Sequence, residues 1–288
     1  MVPVALVRVA VFVRRLLPDA AARALAFGLA DACWLVLRGR RRTIRENLAR
    51  IAPSRTPAER RRLVRSTFRN LAACASDFLA FPSTPPERML EMIDKSGLEH
   101  LDAALARGRG AIVITGHLGN FELAGLALAA LGYRCHTVAE SIAPGLDRLY
   151  TRFRSATGAV VAPLERGAAA SLRALARREV LMLVADRAIR SASMPLRFAG
   201  GVRALPTGPA AIAISRGAPI MVAHVVLDPS GNGRRYLGVV GPEISTEGLT
   251  KDDVPRLAQE LADRLSEIVT RYPDQWFVFQ PDWLEDES

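Results

Sequence analysis

Between Gly110 and Gly125 a histidine and a carboxylate, His117 and Glu122, stand five positions apart. An imidazole held by a carboxylate is a general-base arrangement: one ring nitrogen is fixed and the other takes a proton. On one continuous helix a spacing of five turns two side chains about 140° apart. The pair can therefore share a site only if His117 precedes the helix that carries Glu122. The surrounding residues predict that placement. Ala111-Ile-Val-Ile-Thr115 reads as a buried strand, Gly116 and Gly119 give the backbone freedom to turn, and Asn120 is a helix N-cap type. Glu122 then falls in the first helical turn, where the positive end of the helix keeps it ionised and available to one imidazole nitrogen.

The stretch Thr115-Gly-His-Leu-Gly-Asn-Phe-Glu122 resembles the His-x4-(Asp/Glu) motif of glycerolipid acyltransferases. In its extended form it is similar to the lipid A late acyltransferases and phosphatidylinositol mannoside acyltransferases of bacteria. Thr43-Ile-Arg-Glu-Asn-Leu48 and Phe68-Arg-Asn-Leu-Ala72 resemble the helical N-terminal part of the same enzymes. Tyr272-Pro-Asp-Gln-Trp-Phe-Val-Phe-Gln-Pro-Asp-Trp283 resembles their Pro-x-x-Trp-x-x-x-Gln-x-x-Trp tail, so the likeness runs from about residue 40 to 284. The tail tryptophans read as packing or interface anchors.

The resemblance implies further site residues. Glu140 and Arg154 match positions that shape the acceptor and donor sites. Asp186-Arg187 resembles the start of an Asp-Arg-Asp motif whose third place is Ala188 here. The hairpin that follows in the family, sometimes with a functional glutamate, corresponds to Met194-Pro-Leu-Arg-Phe-Ala-Gly-Gly201, which has none. The segment from Arg203 to Pro219 resembles a helix whose N-terminus lies beside the active site. Its amides at Thr207 and Gly208, helped by Arg203, are placed to bind a phosphate or an oxyanion. With Gly116 and Asn120 of the motif, the candidate substrate-contacting residues are Gly116, Asn120, Glu140, Arg154, Asp186, Arg187, Arg203 and Thr207.

These residues need a scaffold. From Ala111 onward strand-like segments (Ala111 to Thr115, Tyr133 to Ala139, Ala159 to Ala162, Val180 to Ala185, Ile220 to Val226, Tyr236 to Val240) alternate with helical ones, and a last helix runs from Asp252 to Arg271. That alternation predicts an α/β fold with a mixed, largely parallel central sheet flanked by helices. Before it, Thr43 to Phe81 is helical with a break at Pro53-Ser-Arg-Thr-Pro57, and Phe81-Pro-Ser-Thr-Pro-Pro86 is a linker. The runs Val2 to Leu17 and Ala20 to Leu37 are apolar but interrupted by Arg8, Arg14, Arg15, Arg23 and Asp31, so neither reads as a membrane span or a secretory signal. They read as interfacial helices with arginines toward lipid headgroups. The expected organisation is 1–42 interfacial helices, 43–86 a helical subregion and 87–288 the α/β acyltransferase core.

Half of the 288 residues are hydrophobic and the formal charge is +10, which excludes a disordered chain and favours anionic partners. Arg38-Gly-Arg-Arg-Arg42 beside an apolar helix points to anionic membrane lipid, and no interleaved aromatic residues point to nucleic acid. Cys33, Cys74 and Cys135 show neither a disulfide framework nor a metal pattern, and no metal or resident cofactor is expected. The absence of Gly-x-Ser-x-Gly disfavours an acyl-serine route. The reading is direct acyl transfer from acyl-CoA or acyl carrier protein to a glycolipid hydroxyl, at the cytoplasmic face of the bacterial inner membrane. The competing reading is a non-catalytic basic protein, binding membrane or nucleic acid, with a decayed motif. A dinucleotide oxidoreductase is disfavoured because Gly116-x-x-Gly119 is not Gly-x-Gly-x-x-Gly.

Overall fold

Proline punctuation divides the N-terminal region into helices α1 (Val4–Leu16), α2 (Asp19–Val36), α3 (Arg38–Ile51) and α4 (Pro57–Ala80). The structure is a computed structural model that describes residues 4–141, 143–188, 193–231, 234–280 and 282–284. Val2 of the first apolar run and Pro281 of the tail motif lie outside the described residues. Helix α4 starts at a capping box in which Thr56 accepts from the Glu59 amide and the Glu59 carboxylate accepts from Thr56, with Pro57 at the first helical position. The boundary expected at residue 42 falls inside α3. Ile44, Leu48 and Ile51 of that helix, with Val64 and Phe68 of α4, join the same buried cluster as the central sheet.

The rest of the chain runs α5 (Pro86–Glu91), β1 (Ile93–Ser96), α6 (Leu98–Ala106), β2 (Ala111–Thr115), α7 (Phe121–Ala130), β3 (Cys135–Ala139), α8 (Pro144–Arg154), β4 (Val160–Pro163), α9 (Gly167–Ala176) and β5 (Val180–Val184). It continues with β6 (Ser193–Phe198), β7 (Gly201–Pro206), α10 (Gly208–Arg216), β8 (Ile220–Leu227), β9 (Tyr236–Val240), α11 (Val254–Arg271) and β10 (Trp283–Leu284). The fold class is the α/β arrangement that the alternation predicts. The central sheet has the order β1-β9-β8-β2-β5-β3-β4. Every neighbouring pair in it is parallel except β8 with β9. A small antiparallel sheet, β10-β7-β6, stands beside it.

Alternation along the strands splits the core into two faces. Ile112 and Ile114 of β2 and Leu181 of β5 pack with α3, α4, α10 and α11. Ala111, Val113, Val180 and Met182 pack with α6 and α7 on the other side. Strand β2 is buried at every position, as expected for a parallel strand covered on both faces. Each fully buried isoleucine there contributes about 1.5–3 kcal/mol relative to exposure. Strand β1 was not visible in the sequence because Ile-Asp-Lys-Ser has a single apolar residue; it forms by parallel pairing with β9.

One feature of register opens the site. Strand β5 stays paired with β2 up to Thr115 and Val184, but its pairing with β3 stops at Thr137 and Met182. Beyond that point β3 continues with β4 alone, so a crevice forms between β3 and β5 at the carboxyl ends of the parallel strands, where such sheets carry ligands.

Along α1 and α2 the large apolar side chains Leu6, Val9, Phe12, Leu16, Leu29 and Leu35 face outward, each more than half exposed. Arg14, expected among the headgroup-facing arginines, instead turns inward, donating to the Ser76 carbonyl at 3.2 Å and to Asp19 at 2.5 Å. Among the described residues no single helix is long and apolar enough to cross a membrane; α2 and α3 reach that length only as a pair bent by 92°.

Candidate active site

His117 stands two residues beyond the end of β2, and Asp186 two residues beyond the end of β5. Because Thr115 and Val184 are partners in register, equal steps past each strand bring the two side chains together. The Nδ1 of His117 lies 2.7 Å from Asp186 Oδ1. The His117 amide donates to Asp186 Oδ2 at 2.7 Å, and the Trp276 indole N–H donates to the same oxygen at 2.9 Å. Gly116 makes this approach possible, since a Cβ there would sit 2.9 Å from Asp186 Oδ2. Asp186 is fully buried. Burial alone would raise its pKa, but the charge and hydrogen bonds of His117, followed by the bond from Trp276, outweigh this and hold it below the ordinary aspartate value. An ionised Asp186 takes the Nδ1 proton as a hydrogen bond, which leaves the Nε2 lone pair as the free base. Nε2 makes no hydrogen bond among the described residues, and the ring is a quarter exposed on the wall of a cavity.

Glu122 does not hold the imidazole, contrary to the expectation from sequence. Both of its oxygens are taken by Arg154 of α8, at 2.6 and 2.8 Å, in a two-pronged ion pair. The first turn of α7 faces α8, whereas the Nδ1 side of the ring faces β5; the local motif carries no information about that division. Glu140 and Arg187, at the ends of β3 and β5, form a second ion pair. All four of these residues line the cavity with His117.

The turn from Gly116 to Asn120 is tied down from two further directions. Gln275 and Phe277 bracket it through Gly119 N–H to the Gln275 carbonyl at 2.8 Å and Phe277 N–H to the His117 carbonyl at 2.7 Å. The Asn120 amide donates to the Val225 carbonyl at 2.7 Å. Asn120 caps α7 by accepting from the Leu123 amide at 3.1 Å, and its own amide donates to the Tyr236 hydroxyl at 3.0 Å. Tyr236 in turn donates to Asp77 of α4, which Arg235 holds at 2.9 Å. Gly116 and Asn120, expected to contact substrate, therefore shape the turn from behind. Trp276, read from sequence as an anchor, donates to Asp186; its place in the tail pattern was the available signal, but not the partner.

The cavity has a volume of about 630 Å³. Its ionic end is formed by His117, Glu122, Arg154, Glu140 and Arg187. The remainder is largely apolar, with Phe121, Leu126, Val138, Met182, Leu183 and Ile212 on its walls. Pro206, Gly208 and Pro209 place the N-terminus of α10, with Thr207 at its N-cap position, against the same space. Arg203 is not part of the wall. It is 1% exposed and packed between Trp276 and Trp283, with ring centroids 5.3 and 4.8 Å from its guanidinium carbon. The expectation that it contacts a substrate phosphate is corrected accordingly: alternation in β7 turns it away from the cavity into the small sheet.

The geometry is that of an imidazole held at Nδ1 by a buried carboxylate, at the ionic end of a largely apolar cavity. Comparisons with known proteins agree in kind. A sequence profile described as "Bacterial lipid A biosynthesis acyltransferase" matches residues 3–285. Phosphatidylinositol mannoside acyltransferase of Mycolicibacterium smegmatis is 32% identical over 282 residues, covering 95% of this chain and 89% of the relative. The protein of the same name from Mycobacterium tuberculosis H37Rv is 31% identical over 254 residues, covering 85% of this chain and 78% of its own length. The chain belongs to the bacterial lipid A biosynthesis acyltransferase family.

Proposed function

We propose that the protein transfers a fatty acyl group from a thioester donor, acyl-CoA or acyl carrier protein, to a hydroxyl of a glycolipid, with His117 as general base and Asp186 as the group that orients it. The observation that carries this reading is His117 itself, with Nδ1 committed to a buried carboxylate and Nε2 directed to an apolar cavity large enough for an acyl chain. Nε2 removes the acceptor hydroxyl proton as the oxygen attacks the thioester carbonyl. The tetrahedral oxyanion is met by the Gly208 amide at the α10 N-terminus and by the Arg187 and Arg154 side chains. Collapse expels the thiolate, which takes the proton back from the imidazolium. The Glu122–Arg154 and Glu140–Arg187 pairs offer carboxylates to sugar hydroxyls and guanidinium groups to phosphate.

The names of the relatives support a phosphatidylinositol mannoside-type acceptor over a lipid A-type one. The outward apolar row on α1 and α2, together with Arg8, Arg15 and the arginines from Arg38 to Arg42, supports peripheral attachment to anionic lipid, which this reading assigns to the cytoplasmic face of the inner membrane. The test is release of free thiol from acyl-CoA or acyl carrier protein on addition of candidate acceptors, with mass spectrometry of the lipid product. Wild-type protein should transfer the chain and His117→Ala should not; equal transfer by both would end the proposal, and release of thiol without acylated lipid would make the protein a hydrolase.

A further inference from the structure

Arg203 is a buried charge that is only weakly paired among the described residues. Its Nε and Nη1 make no hydrogen bond among the described residues. Its Nη2 lies 3.7 Å from Asp282, whose side chain is more than half exposed and therefore solvated. Burying a guanidinium is costly unless it is well paired, and an apolar residue would fill the space between two indoles at lower cost. The fold alone gives no reason for a charge here. The charges around the site supply one. Glu122 is matched by Arg154 across α7 and α8, and Glu140 by Arg187 across the ends of β3 and β5. Arg50 of α3 lies over the Trp283 ring at 5.3 Å. Among the described residues of the site, Asp186 is left as a fully buried anion and Arg203 as a buried cation, with Trp276 shared between them: its N–H binds Asp186 and its ring face meets the guanidinium.

We propose that Arg203 is a positioning residue for the His117–Asp186 pair, a permanent charge behind Trp276 that adds to the bonds from His117 and Trp276 in favouring the Asp186 carboxylate and opposes a second positive charge on the imidazole. The inference rests on the reading of His117 as the base. The sign follows from electrostatics: a fixed cation favours the Asp186 anion and opposes a second positive charge on the imidazole, so the proton taken from the acceptor is more readily passed to the leaving thiolate. Burial pulls the Arg203 pKa down, and Asp282 and then Asp186 push it back up; a guanidinium nevertheless stays charged at any working pH.

The test compares wild-type full-length protein with Arg203→Met and Arg203→Lys. Imidazole protons are titrated by NMR, with the His117 signal identified by its loss in His117→Ala. Thermal stability and the pH profile of kcat/KM are measured alongside. In Arg203→Met the proton affinity of the pair should rise about tenfold, moving its midpoint and the acidic limb of kcat/KM up by about one unit. The melting temperature should be unchanged or higher. Arg203→Lys should stay within about twofold of wild type in proton affinity. A Met variant that titrates as wild type overturns the proposal. Should Arg203→Met fail to fold, Arg203→Gln replaces it, and failure of both makes the charge structural and overturns the proposal as well. The titration needs no turnover, so a shifted midpoint in a protein without acyl transfer would sink the acyltransferase reading alone.

Discussion

Two carboxylates compete for the role of partner to His117, and substitution separates them. Asp186→Asn keeps the shape but leaves Nδ1 facing an amide, which favours the wrong tautomer. We expect kcat for acyl transfer to fall by about 10³–10⁴ with KM little changed, by analogy with tautomer loss in hydrolytic triads. Glu122→Gln should act through Arg154. In a double-mutant cycle with Arg154→Gln, the two losses in kcat/KM should fall short of additive by about 1–3 kcal/mol, the coupling expected of a partly buried ion pair. Full additivity would mean that Glu122 acts independently of Arg154. The sequence carried the placement of His117 in a turn before a helix, because Thr-Gly-His-Leu-Gly-Asn-Phe-Glu is a local strand–turn–helix pattern. It did not carry the partner, because Asp186 is 69 residues away and becomes a neighbour only once β2 and β5 are paired in register.

At the level of elements, the turn from Gly116 to Asn120 works because other segments hold it. Gly119 has φ of +54°, and a Cβ there would sit 2.3 Å from the Val225 carbonyl oxygen and 2.7 Å from the Val226 Cα. Gly119→Ala should therefore lower stability by about 2 kcal/mol or more and abolish transfer, as read by chemical denaturation and the thiol-release assay. Helices α1 and α2 carry a different expectation. Phe12→Asp with Leu16→Asp alters side chains that are 62% and 67% exposed, so the fold should stand while binding to vesicles of anionic phospholipid weakens about tenfold or more in co-sedimentation. Unchanged sedimentation would remove this face from the membrane contact. Interrupted apolar runs made both helices legible, and alternation most of the strands. Strand β10 was not, since two residues, Trp283 and Leu284, acquire strand geometry only by pairing with Arg203 and Val202.

For the whole molecule, pH provides a test of how the sheet and α11 are packed. His224 of β8 lies under Tyr272 and Arg271 at the end of α11, its ring 6.0 Å from that of Tyr272. Burial first, and then the Arg271 charge, lower its pKa from 6.5 to about 4. The folded state thus refuses a proton that the unfolded chain accepts. Above pH 6.5 both states are neutral at this residue and it contributes no pH dependence. As the pH falls below 6.5 the unfolded chain is favoured, and the loss grows until the folded protein also binds the proton near pH 4, where it amounts to about 3 kcal/mol. Asp186 is held below the ordinary aspartate value, so its contribution is lost only at lower pH. Asp77 is raised by burial, despite Arg235, and its protonation on acidification works in the opposite sense. Urea denaturation of wild type and His224→Phe at matched pH cancels both groups. The difference in unfolding free energy between the two proteins should be constant above pH 7 and should move in favour of the phenylalanine variant from pH 6.5 to 4. A difference that does not change with pH would mean that water reaches His224 and that α11 does not seal this face of the sheet.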